Sequence, residues 1–429
     1  MRQSNFEKAR LLAENDLAFL YDVYDFRCIS TQQAFDYYYA DYFYNYEAFY
    51  QNKIQAFIQA DLIEVVLYKE GEAVFLTNNA IEIVRDCFGL ATNILDKDKN
   101  VIRRGYYRAS ELKMLPRLIT HQVHLNRFVL DFRELAKGEN LNWKHYGEKN
   151  ISQYFGIRPD AMLRFYELDI FLEQDMASES KVQLTEKWNH YRTYLRSRKS
   201  DGNLRKIIML FIVDNTNNPQ ARKELVRYTA IESLLDQFGS KFDIYVGTRD
   251  ELLDLLFTSV IPTQQAMNGL HSHYMQIMNN RYQFVVQDAQ RLRPFLSNTE
   301  YTFYQYKMSE EGTLLIENGK LQEFLLDDAT GAPFSMMQKI AFHKRNSSAF
   351  YRDMNRHIST IFLLDNEQQI RSHLQMANLM GTDDVYYTTL ERLERLSFPE
   401  ALFQFDRAGQ KYHFANSGLV KRVYEETNT

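Results

Sequence analysis

The chain has 429 residues, of which 45% are hydrophobic and 25% are charged, a balance typical of folded globular proteins. At about 150 residues per domain, the length leaves room for about three domains. The formal net charge of −5 excludes a global attraction to nucleic acid, so any DNA binding must come from local basic patches. Because only two cysteines occur, Cys28 and Cys87, a disulfide framework and a cysteine-ligated zinc site are excluded.

Hydropathy gives no indication of a membrane segment. The apolar runs fall short of the roughly 18 residues that a membrane-spanning helix needs. Residues 1–5 also lack the apolar run of a signal peptide. We therefore expect a cytoplasmic protein without membrane insertion.

The first 90 residues predict three helices followed by a β-hairpin. Apolar residues recur at helical spacing over residues 6–20, a second helical pattern begins at Ser30, and a third covers residues 46–59. Two strands joined by an acidic turn follow between residues 62 and 77. This order is typical of a winged helix-turn-helix DNA-binding domain, which we place at residues 1–90.

The third helix carries the residues predicted to contact DNA bases. Its outward face consists of amide side chains, namely Gln51, Asn52 and Gln55. Its inward face is apolar and consists of Phe49, Ile54, Phe57 and Ile58. Amides can hydrogen-bond base edges in the major groove. The acidic hairpin tip would repel phosphates, so dimerisation or protein docking is the alternative role of this domain.

Residues 91–117 are a predicted connector, and residues 118–260 a predicted α/β domain. A helix over residues 118–136 and an apolar hairpin over residues 161–175 come first. Helices and strands then alternate, with helices over 180–196 and 219–238 and strands over 207–213 and 242–247. This order predicts a sheet with helices on its faces. Residues 261–429 have a different pattern of short mixed segments and are predicted to form a C-terminal α+β region, with helices over 336–358 and 367–379.

Three carboxylates converge if the hairpin turns between Glu167 and Leu168. Asp160 would then lie opposite Asp175, and Glu173 would share its strand face, diagonal to Asp160. Like charges at such distances repel each other, whereas a divalent cation converts them into ligands. The pattern predicts an Mg²⁺ or Mn²⁺ site formed by Asp160, Glu173 and Asp175.

Two further residues complete the predicted catalytic set. Lys187, about two turns into the next helix, could neutralise the charge that develops on a phosphate under attack. Glu179, near the start of that helix, could be a further ligand or a favourable charge at the helix N-terminus. A metal that polarises a phosphate and delivers a bound water is a phosphodiesterase arrangement. The alternative is that these acids are solvated residues at strand ends and that Lys187 pairs with an aspartate or glutamate on the surface.

The order Pro-Asp, Glu-x-Asp and lysine resembles the PD-(D/E)XK nuclease superfamily. Its members here are Pro159, Asp160, Glu173, Asp175 and Lys187. In that superfamily the lysine usually stands two residues after the acid, a position that Asp175 occupies in this chain. The wider span, roughly residues 10–260, is similar to the replication-relaxation proteins and the related MOB-C class of plasmid relaxases. That likeness rests on the winged helix, residues 117–128, the motif itself, residues 171–179 and Tyr191.

This resemblance implies a mixed α/β protein with a PD-(D/E)XK restriction-endonuclease-like sheet behind the winged helix. It implies a protein of a plasmid or conjugative element that nicks one DNA strand at an origin of transfer, with Asp160, Glu173, Asp175 and Lys187 in the family roles. The implied partners are double-stranded and single-stranded DNA and other relaxosome or coupling proteins. The alternative is an inactive nuclease fold that binds DNA as an accessory factor in mobilisation or replication.

Basic residues near the predicted site suit the binding of a single strand, because they alternate with aromatic residues. The candidates are Arg192, Arg196 and Arg198, and in the C-terminal region Lys344 and Arg345. A solvated helix end would give the same pattern.

Histidine pairs offer a rival prediction. His271 and His273 could bind a metal beside Tyr274 as a nucleophile, but their flanks predict a helix rather than a strand. His121 and His124 stand one helical turn apart and could bind a metal or form structural hydrogen bonds. Tyr191 and Tyr194 could stack on a base, act as a nucleophile or pack in the core.

Overall fold

The computed structural model describes most of residues 12–422. The residues outside the description are 1–11, 91–92, 96, 105–106, 140, 149–150, 152–155, 166–167, 199–204, 215, 239–241, 265–268, 289–302, 307–315, 318–319, 322, 332, 355–357, 366, 415–419 and 423–429. The chain divides into two compact units. The first comprises Met1–Gln153 with Pro159–Leu163, and the second comprises Tyr154–Arg158 with Arg164–Thr429.

The first unit begins with helical segments that surround a small sheet. Its helices are α1 (Glu14–Phe26), α2 (Thr31–Ala34), α3 (Tyr46–Phe49) and α4 (Gln55–Gln59), with π-helical turns at Phe35–Tyr39 and Tyr50–Ile54. The strands are β1 (Ile29–Ser30), β2 (Ile63–Tyr68) and β3 (Gly71–Leu76), in the antiparallel order β1–β3–β2. The predicted hairpin, the Ser30 cap and the continuous helical segment from 46 to 59 are confirmed. The first predicted helix starts outside the described residues, and the observed helix extends to Phe26.

The remainder of the first unit follows this hairpin. It contains α5 (Asn78–Cys87), β4 (Asn93–Leu95), β5 (Val101–Arg104), α6 (Ala109–Leu112), α7 (Pro116–Gly138) and β6 (Trp143–Gly147). The strand β7 (Ala161–Phe165) spans the division between the two units. The predicted connector over residues 91–117 therefore includes a β-hairpin, β4–β5, and a short helix.

The helix α7 packs inside the first unit, although the sequence pattern placed it at the start of the central domain. Ile119 and Val123 join a buried cluster with Cys28, Ala73 and Phe75 of the sheet. Asn126 Nδ2 donates to the carbonyl oxygen of Cys28 at 2.6 Å, in the same interface. These contacts explain why the compact unit extends past residue 118.

Aromatic side chains form the interior of the helical part of the first unit. Phe19 lies within 5.9 Å, between ring centroids, of Tyr38, Tyr39 and Phe57. The Tyr39 hydroxyl donates to Asp16 at 2.8 Å, which satisfies a polar atom in an apolar setting. The predicted inward face of the third helix is correct for Phe49, Ile54 and Phe57 but wrong for Ile58, which is 37% exposed.

The second unit begins with a parallel sheet that is covered by helices. Its strands β8 (Leu168–Asp175), β9 (Lys206–Val213) and β10 (Phe242–Gly247) run parallel, with β9 between the other two. The helix α8 (Lys181–Arg198) connects β8 to β9, and α9 (Pro219–Leu234) connects β9 to β10. The predicted helices and strands of residues 180–247 are confirmed. The three strands are buried along almost their whole length, as parallel strands covered by helices should be. β9 and β10 are mostly apolar, whereas half of the residues of β8 are polar or charged.

A helical segment follows β10 and leads into a second sheet. It contains α10 (Arg249–Leu255), α11 (Ile261–Gln264) and α12 (Gly269–Gln276), with π-helical turns at Leu256–Val260 and Ile277–Arg281. The sheet has the order β11–β12–β15–β16–β17–β18–β19–β20. Its strands are β11 (Val285–Asp288), β12 (Phe303–Tyr306), β15 (Glu323–Asp328), β16 (Ser359–Leu363), β17 (Val385–Thr388), β18 (Phe403–Phe405), β19 (Lys411–Phe414) and β20 (Val420–Arg422).

Within this sheet β15, β16 and β17 are parallel, and the other pairs are antiparallel. A separate two-stranded ribbon is formed by β13 (Ile316–Glu317) and β14 (Lys320–Leu321). The associated helices are α13 (Phe334–Met354), α14 (Glu367–Met376), α15 (Leu390–Arg395) and α16 (Phe398–Ala401). The structure is therefore mixed α/β with several sheets, and the two predicted C-terminal helices are present. Among the described residues, no helix has both the length and the apolar character needed to cross a membrane.

Candidate functional site

Glu173 is a buried carboxylate near the carboxyl end of β8. It is 3% exposed and lies opposite Phe211 in the parallel pairing with β9. The Tyr191 hydroxyl donates to its Oε1 at 2.6 Å, and Lys187 Nζ donates to its Oε2 at 3.0 Å. Tyr191 and Lys187 stand one turn apart on α8 and therefore meet the same carboxylate.

Lys187 lies between two carboxylates. Its Nζ is 3.0 Å from Glu173 Oε2 and 3.0 Å from Glu179 Oε1. The side chains of Lys187 and Glu179 are 26% and 29% exposed, whereas that of Glu173 is 4% exposed. The group therefore reaches solvent on the Lys187–Glu179 side and is enclosed at Glu173.

Asp175 is held by an arginine of the neighbouring helix. Arg222 Nη2 donates to Asp175 Oδ1 at 2.9 Å, and Arg222 Nε donates to Oδ2, so the pair is bidentate. Oδ1 also accepts from the backbone N–H of Ala177 at 2.9 Å. Arg222 Nη1 donates to the carbonyl oxygen of Glu179 at 2.7 Å. Asp175 thus fixes the loop that carries Glu179.

Local sequence signals set these side chains in place. Ser180 and Gln183 exchange hydrogen bonds of 2.8 and 3.3 Å at the start of α8. Asn218 caps α9, and Pro219 occupies its first turn, just before Arg222. The Trp188 indole N–H donates to Thr229 Oγ1 at 2.9 Å and links the two helices in the core. The capping of both helices therefore fixes Lys187 and Arg222 against β8.

The structure brings together three of the predicted site residues, Glu173, Glu179 and Lys187. Asp160 belongs to the first unit, where its Oδ2 lies 3.2 Å from His121 Nε2. The predicted turn residues 166 and 167 lie outside the described residues. The shared metal site of Asp160, Glu173 and Asp175 remains a prediction.

The donor set allows a test of whether a divalent cation fits. Within the described part of the chain, no group of three or more His, Cys, Asp or Glu side chains could hold a metal ion. Both oxygens of Asp175 accept hydrogen bonds from Arg222, so this carboxylate does not fit as a ligand. Both oxygens of Glu173 are occupied as well, by the Tyr191 hydroxyl and the Lys187 ammonium, so Glu173 and Glu179 would hold a divalent cation only where it displaced Lys187 from between them. Mg²⁺ is commonly held by one or two carboxylates together with water and phosphate oxygens.

The predicted DNA contacts near this site lie on the exposed face of α8. Arg192 and Arg196 share a single acid, with Nη2 distances of 3.5 and 3.2 Å to Asp236 Oδ2. Burial raises the pKa of Asp236, but hydrogen bonds from Gln237 and Arg196 outweigh that effect and lower the pKa below its ordinary value. The three side chains together carry a net positive charge. The side chain of Arg198 lies outside the described residues.

The other predicted DNA contacts are exposed or partly exposed. Gln51 and Asn52 are exposed, and Gln55 is half-buried. Asn52 Nδ2 donates to the carbonyl oxygen of Ala48 at 2.7 Å, and Gln51 bonds to Glu47 one turn earlier. In α13, Lys344 donates to the carbonyl oxygen of Asn378 and Arg345 to that of Ala341. Gln51, Asn52, Lys344 and Arg345 are therefore exposed and held by hydrogen bonds within the protein.

The histidine alternatives have structural partners. His124 Nε2 lies 2.9 Å from Glu70 Oε2, and His273 Nε2 lies 2.6 Å from Glu394 Oε1. The segment around His273 is helical, and Tyr274 is 1% exposed in the core. The side chain of His271 lies outside the described residues. The predicted helical flanks are confirmed, which disfavours a strand-borne metal site there.

Arg222 belongs to this site although no sequence motif points to it. It stands 47 residues after Asp175, so no motif spacing connects the two. The only local signal is a basic residue in the first turn of a helix that follows a strand parallel to β8. The partnership of Tyr191 with Glu173 was also missed, because core packing accounted for the tyrosine.

Residues 20–208 match the model of the replication-relaxation family. The match ends in β9 and includes Glu173, Asp175, Glu179 and Lys187. Arg222 and the second sheet lie beyond it. It suggests a role in plasmid replication or mobilisation and the involvement of DNA. No curated protein and no solved structure matches the chain.

Proposed function

We propose that the protein nicks DNA in plasmid mobilisation or replication, as a relaxase-type endonuclease of the MOB-C kind. The observation that carries the proposal is the position of the Lys187 ammonium, 3.0 Å from each of two carboxylates at the solvent-facing edge of the β8–α8 layer. The family match over residues 20–208 supports a DNA substrate. The proposal includes a PD-(D/E)XK-like core and an N-terminal winged helix.

Glu173 and Glu179 are the residues that we propose for binding Mg²⁺ or Mn²⁺. When bound, such an ion polarises the scissile phosphate and lowers the pKa of a coordinated water. Lys187 lies where it can stabilise the negative charge that develops on the phosphate. Arg192 and Arg196 lie further along α8. We propose that they contact the phosphates of the DNA strand beside the nicking centre.

Three residues of the group have positioning roles in this proposal. Tyr191 donates to Glu173 Oε1 and leaves Oε2 directed to Lys187. Asp175 and Arg222 hold the Glu179 backbone and so fix the second carboxylate. The role of Asp160 as a metal ligand remains a prediction from the sequence.

Nicking of a supercoiled plasmid that carries the transfer origin of the chain's own element tests this proposal. With Mg²⁺ or Mn²⁺ the wild type should relax the plasmid, and a chelator should abolish the activity. Glu173→Gln and Lys187→Met should each reduce the rate by about 100-fold or more, because each removes charge at the reacting phosphate. Glu232→Gln and Lys181→Met are matched controls, since that pair is about half exposed with its charges 3.6 Å apart.

A second function, that of an accessory protein that binds DNA without cleaving it, is favoured by the Asp175–Arg222 pair. A carboxylate with both oxygens occupied by a guanidinium is a structural residue rather than a ligand. Binding of the origin by the folded wild type without relaxation under any metal condition would support this function and contradict nicking. Equal losses in Lys187→Met and Lys181→Met would also contradict the proposed centre.

A further inference from the structure

A cavity of about 620 Å³ opens in the second unit at the carboxyl ends of three strands. Val246 and Gly247 end β10, Thr330 and Gly331 follow β15, and Asp365 follows β16. The volume is within the range of about 300–1,000 Å³ that small-molecule sites occupy. In α/β proteins ligands bind at this end of the strands. None of the side chains of the proposed nicking centre lines the cavity.

The cavity is lined by a buried guanidinium, that of Arg227, which pairs with no carboxylate among the described residues. Arg227 is 7% exposed, and among the described residues its one hydrogen bond runs from Nη2 to the carbonyl oxygen of Val246, at 2.7 Å. Its Nε is buried and has no hydrogen-bond partner in that part of the chain. Burial lowers the pKa of Arg227, while the charges of Glu251 and Glu224 oppose the effect. A buried cation in this state is stabilised by an anion.

The neighbouring ammonium is already neutralised. Lys223 Nζ lies 2.9 and 3.1 Å from the two carboxylate oxygens of Glu251. Lys223 therefore adds little net charge to the cavity. An anion that enters would pair with Arg227.

His373 supplies further hydrogen-bonding capacity that the described residues leave unused. Its ring lines the cavity, is 1% exposed and packs edge-on against Phe334, with 5.1 Å between centroids. Neither ring nitrogen has a partner among the described residues. Burial, together with the charge of Arg227, lowers the pKa of His373 to about 3. The neutral ring has one N–H donor and one acceptor.

We infer that this cavity binds a small phosphate-bearing molecule of nucleotide size. A guanidinium matches the geometry of a phosphate, and the three terminal oxygens can also accept from an imidazole N–H and from hydroxyls. Thr330 and Ser372 supply hydroxyls in the lining. The exposed acids around it, Glu224, Asp254 and Asp365, would repel a polyanionic strand and favour a small ligand over DNA.

Isothermal titration calorimetry of the full chain tests the inference. AMP and dTMP are the probes, inorganic phosphate tests the phosphate alone, and adenosine and thymidine are the phosphate-free controls. At least one nucleotide should bind with one site per chain, and its nucleoside should bind at least about tenfold more weakly. Equal binding of nucleotide and nucleoside, or no binding of any probe, would overturn the inference. Two further probes are glutarate, a dicarboxylate without phosphate, and a single-stranded oligonucleotide, a polyanion. Tighter binding of either one than of both nucleotides would also overturn the inference.

Two variants locate the binding to this cavity. Arg227→Gln should weaken nucleotide binding by about tenfold or more, because it removes the cation that pairs with the phosphate. Arg395→Gln is the control, since Arg395 is 73% exposed and pairs with Glu391 one turn away. Should Arg227→Gln fail to fold, Thr258→Trp at the exposed edge of the lining fills the cavity instead. Unchanged nucleotide affinity in a folded Thr258→Trp protein would refute the location.

Discussion

Buried charge in the second unit is compensated in different ways at different residues. Arg222 and Asp175, 8% and 3% exposed, satisfy each other through two hydrogen bonds. Arg227 lies on the same helix, one turn after Lys223, and is as buried as Arg222. Its hydrogen-bond acceptor is a backbone carbonyl oxygen, that of Val246. Breaking the first pair would leave an uncompensated buried charge, whereas the second arrangement has room for an added anion.

His373 provides a pH prediction at the scale of a single residue. Its pKa is about 3 in the folded chain because of burial, against about 6.5 when unfolded. Between these values the unfolded chain binds a proton that the folded chain does not, so the free energy of unfolding falls as the pH falls from about 6.5 to about 3. The slope from this one group approaches about 1.4 kcal/mol per pH unit.

Urea denaturation at several pH values measures this slope in the wild type and in His373→Phe. The variant has an apolar ring of similar size that does not titrate. Between about pH 3 and 6.5 its free energy of unfolding should therefore depend on pH less steeply, by up to about 1.4 kcal/mol per pH unit. His190→Phe, at an exposed position on α8, is the control and should keep a slope closer to that of the wild type. Identical pH dependence in wild type and His373→Phe would show that the histidine is not held neutral in the folded chain.

At the scale of single elements, the helices and strands of residues 180–247 have clear signals in the sequence. The predicted strands 207–213 and 242–247 and helices 180–196 and 219–238 are found almost as predicted. Their signals are local: apolar runs, the Ser180 cap and the Asn218-Pro219 start. Glu173 and Lys187 are also found in contact because strand alternation and helix length place them on facing surfaces. Local patterns were sufficient for Glu173 and Lys187, which belong to consecutive elements, but they did not identify Tyr191 of the same helix as a partner of Glu173.

Long-range partners were not predictable from these patterns. Arg222 meets Asp175 across 47 positions of the chain, and Asp243 meets Ser335 across 92. Neither pair has a motif or a periodicity. The extent of the first unit was missed for the same reason, because Val123 and Phe75 pack in one cluster although 48 positions separate them in the chain. The π-helical turn at Tyr50–Ile54 lies inside a helix whose apolar spacing was predicted, so the turn itself had no separate signal.

Asp243 provides a prediction for an element, because its side chain caps a helix from another part of the fold. Oδ1 accepts from the backbone N–H groups of Phe334 and Ser335, at 2.8 and 3.2 Å, at the start of α13. The carboxylate is 1% exposed. Asp243→Ala would leave these donors buried and unpaired, so the free energy of unfolding should fall by about 3 kcal/mol.

Urea denaturation of the full chain checks this value. Asp243→Asn keeps an oxygen that can accept from the same N–H groups and should cost less than the alanine variant. Asp250→Ala is the control, because Asp250 is 81% exposed and pairs only with the adjacent Arg249 in the described part of the chain. If Asp243→Ala changes stability no more than Asp250→Ala, the carboxylate does not cap α13.

At the scale of the whole molecule, the net charge and its distribution determine which surfaces can bind DNA. A net charge of −5 provides no general attraction to a phosphate backbone, so binding must depend on small positive areas. The Arg192–Arg196–Asp236 group is one such area, with two cations to one anion. Its two arginines lie on α8, the helix that also carries Lys187. Two arginines can neutralise only a few phosphates, so nonspecific binding of DNA should be weak. They would nevertheless orient a DNA strand toward the proposed nicking centre.

The salt dependence of DNA binding tests this assignment. For single-stranded DNA each neutralised phosphate contributes about 0.7 to the slope of log K against log salt concentration. The double variant Arg192→Gln/Arg196→Gln should therefore reduce the slope by about 1.4, measured by fluorescence anisotropy with a labelled oligonucleotide. Asp236→Asn removes the shared acid and should tighten binding, while Arg395→Gln should leave the slope unchanged. If the double variant retains the wild-type slope, α8 does not contact the phosphate backbone, and the strand must approach the Lys187 group from another side.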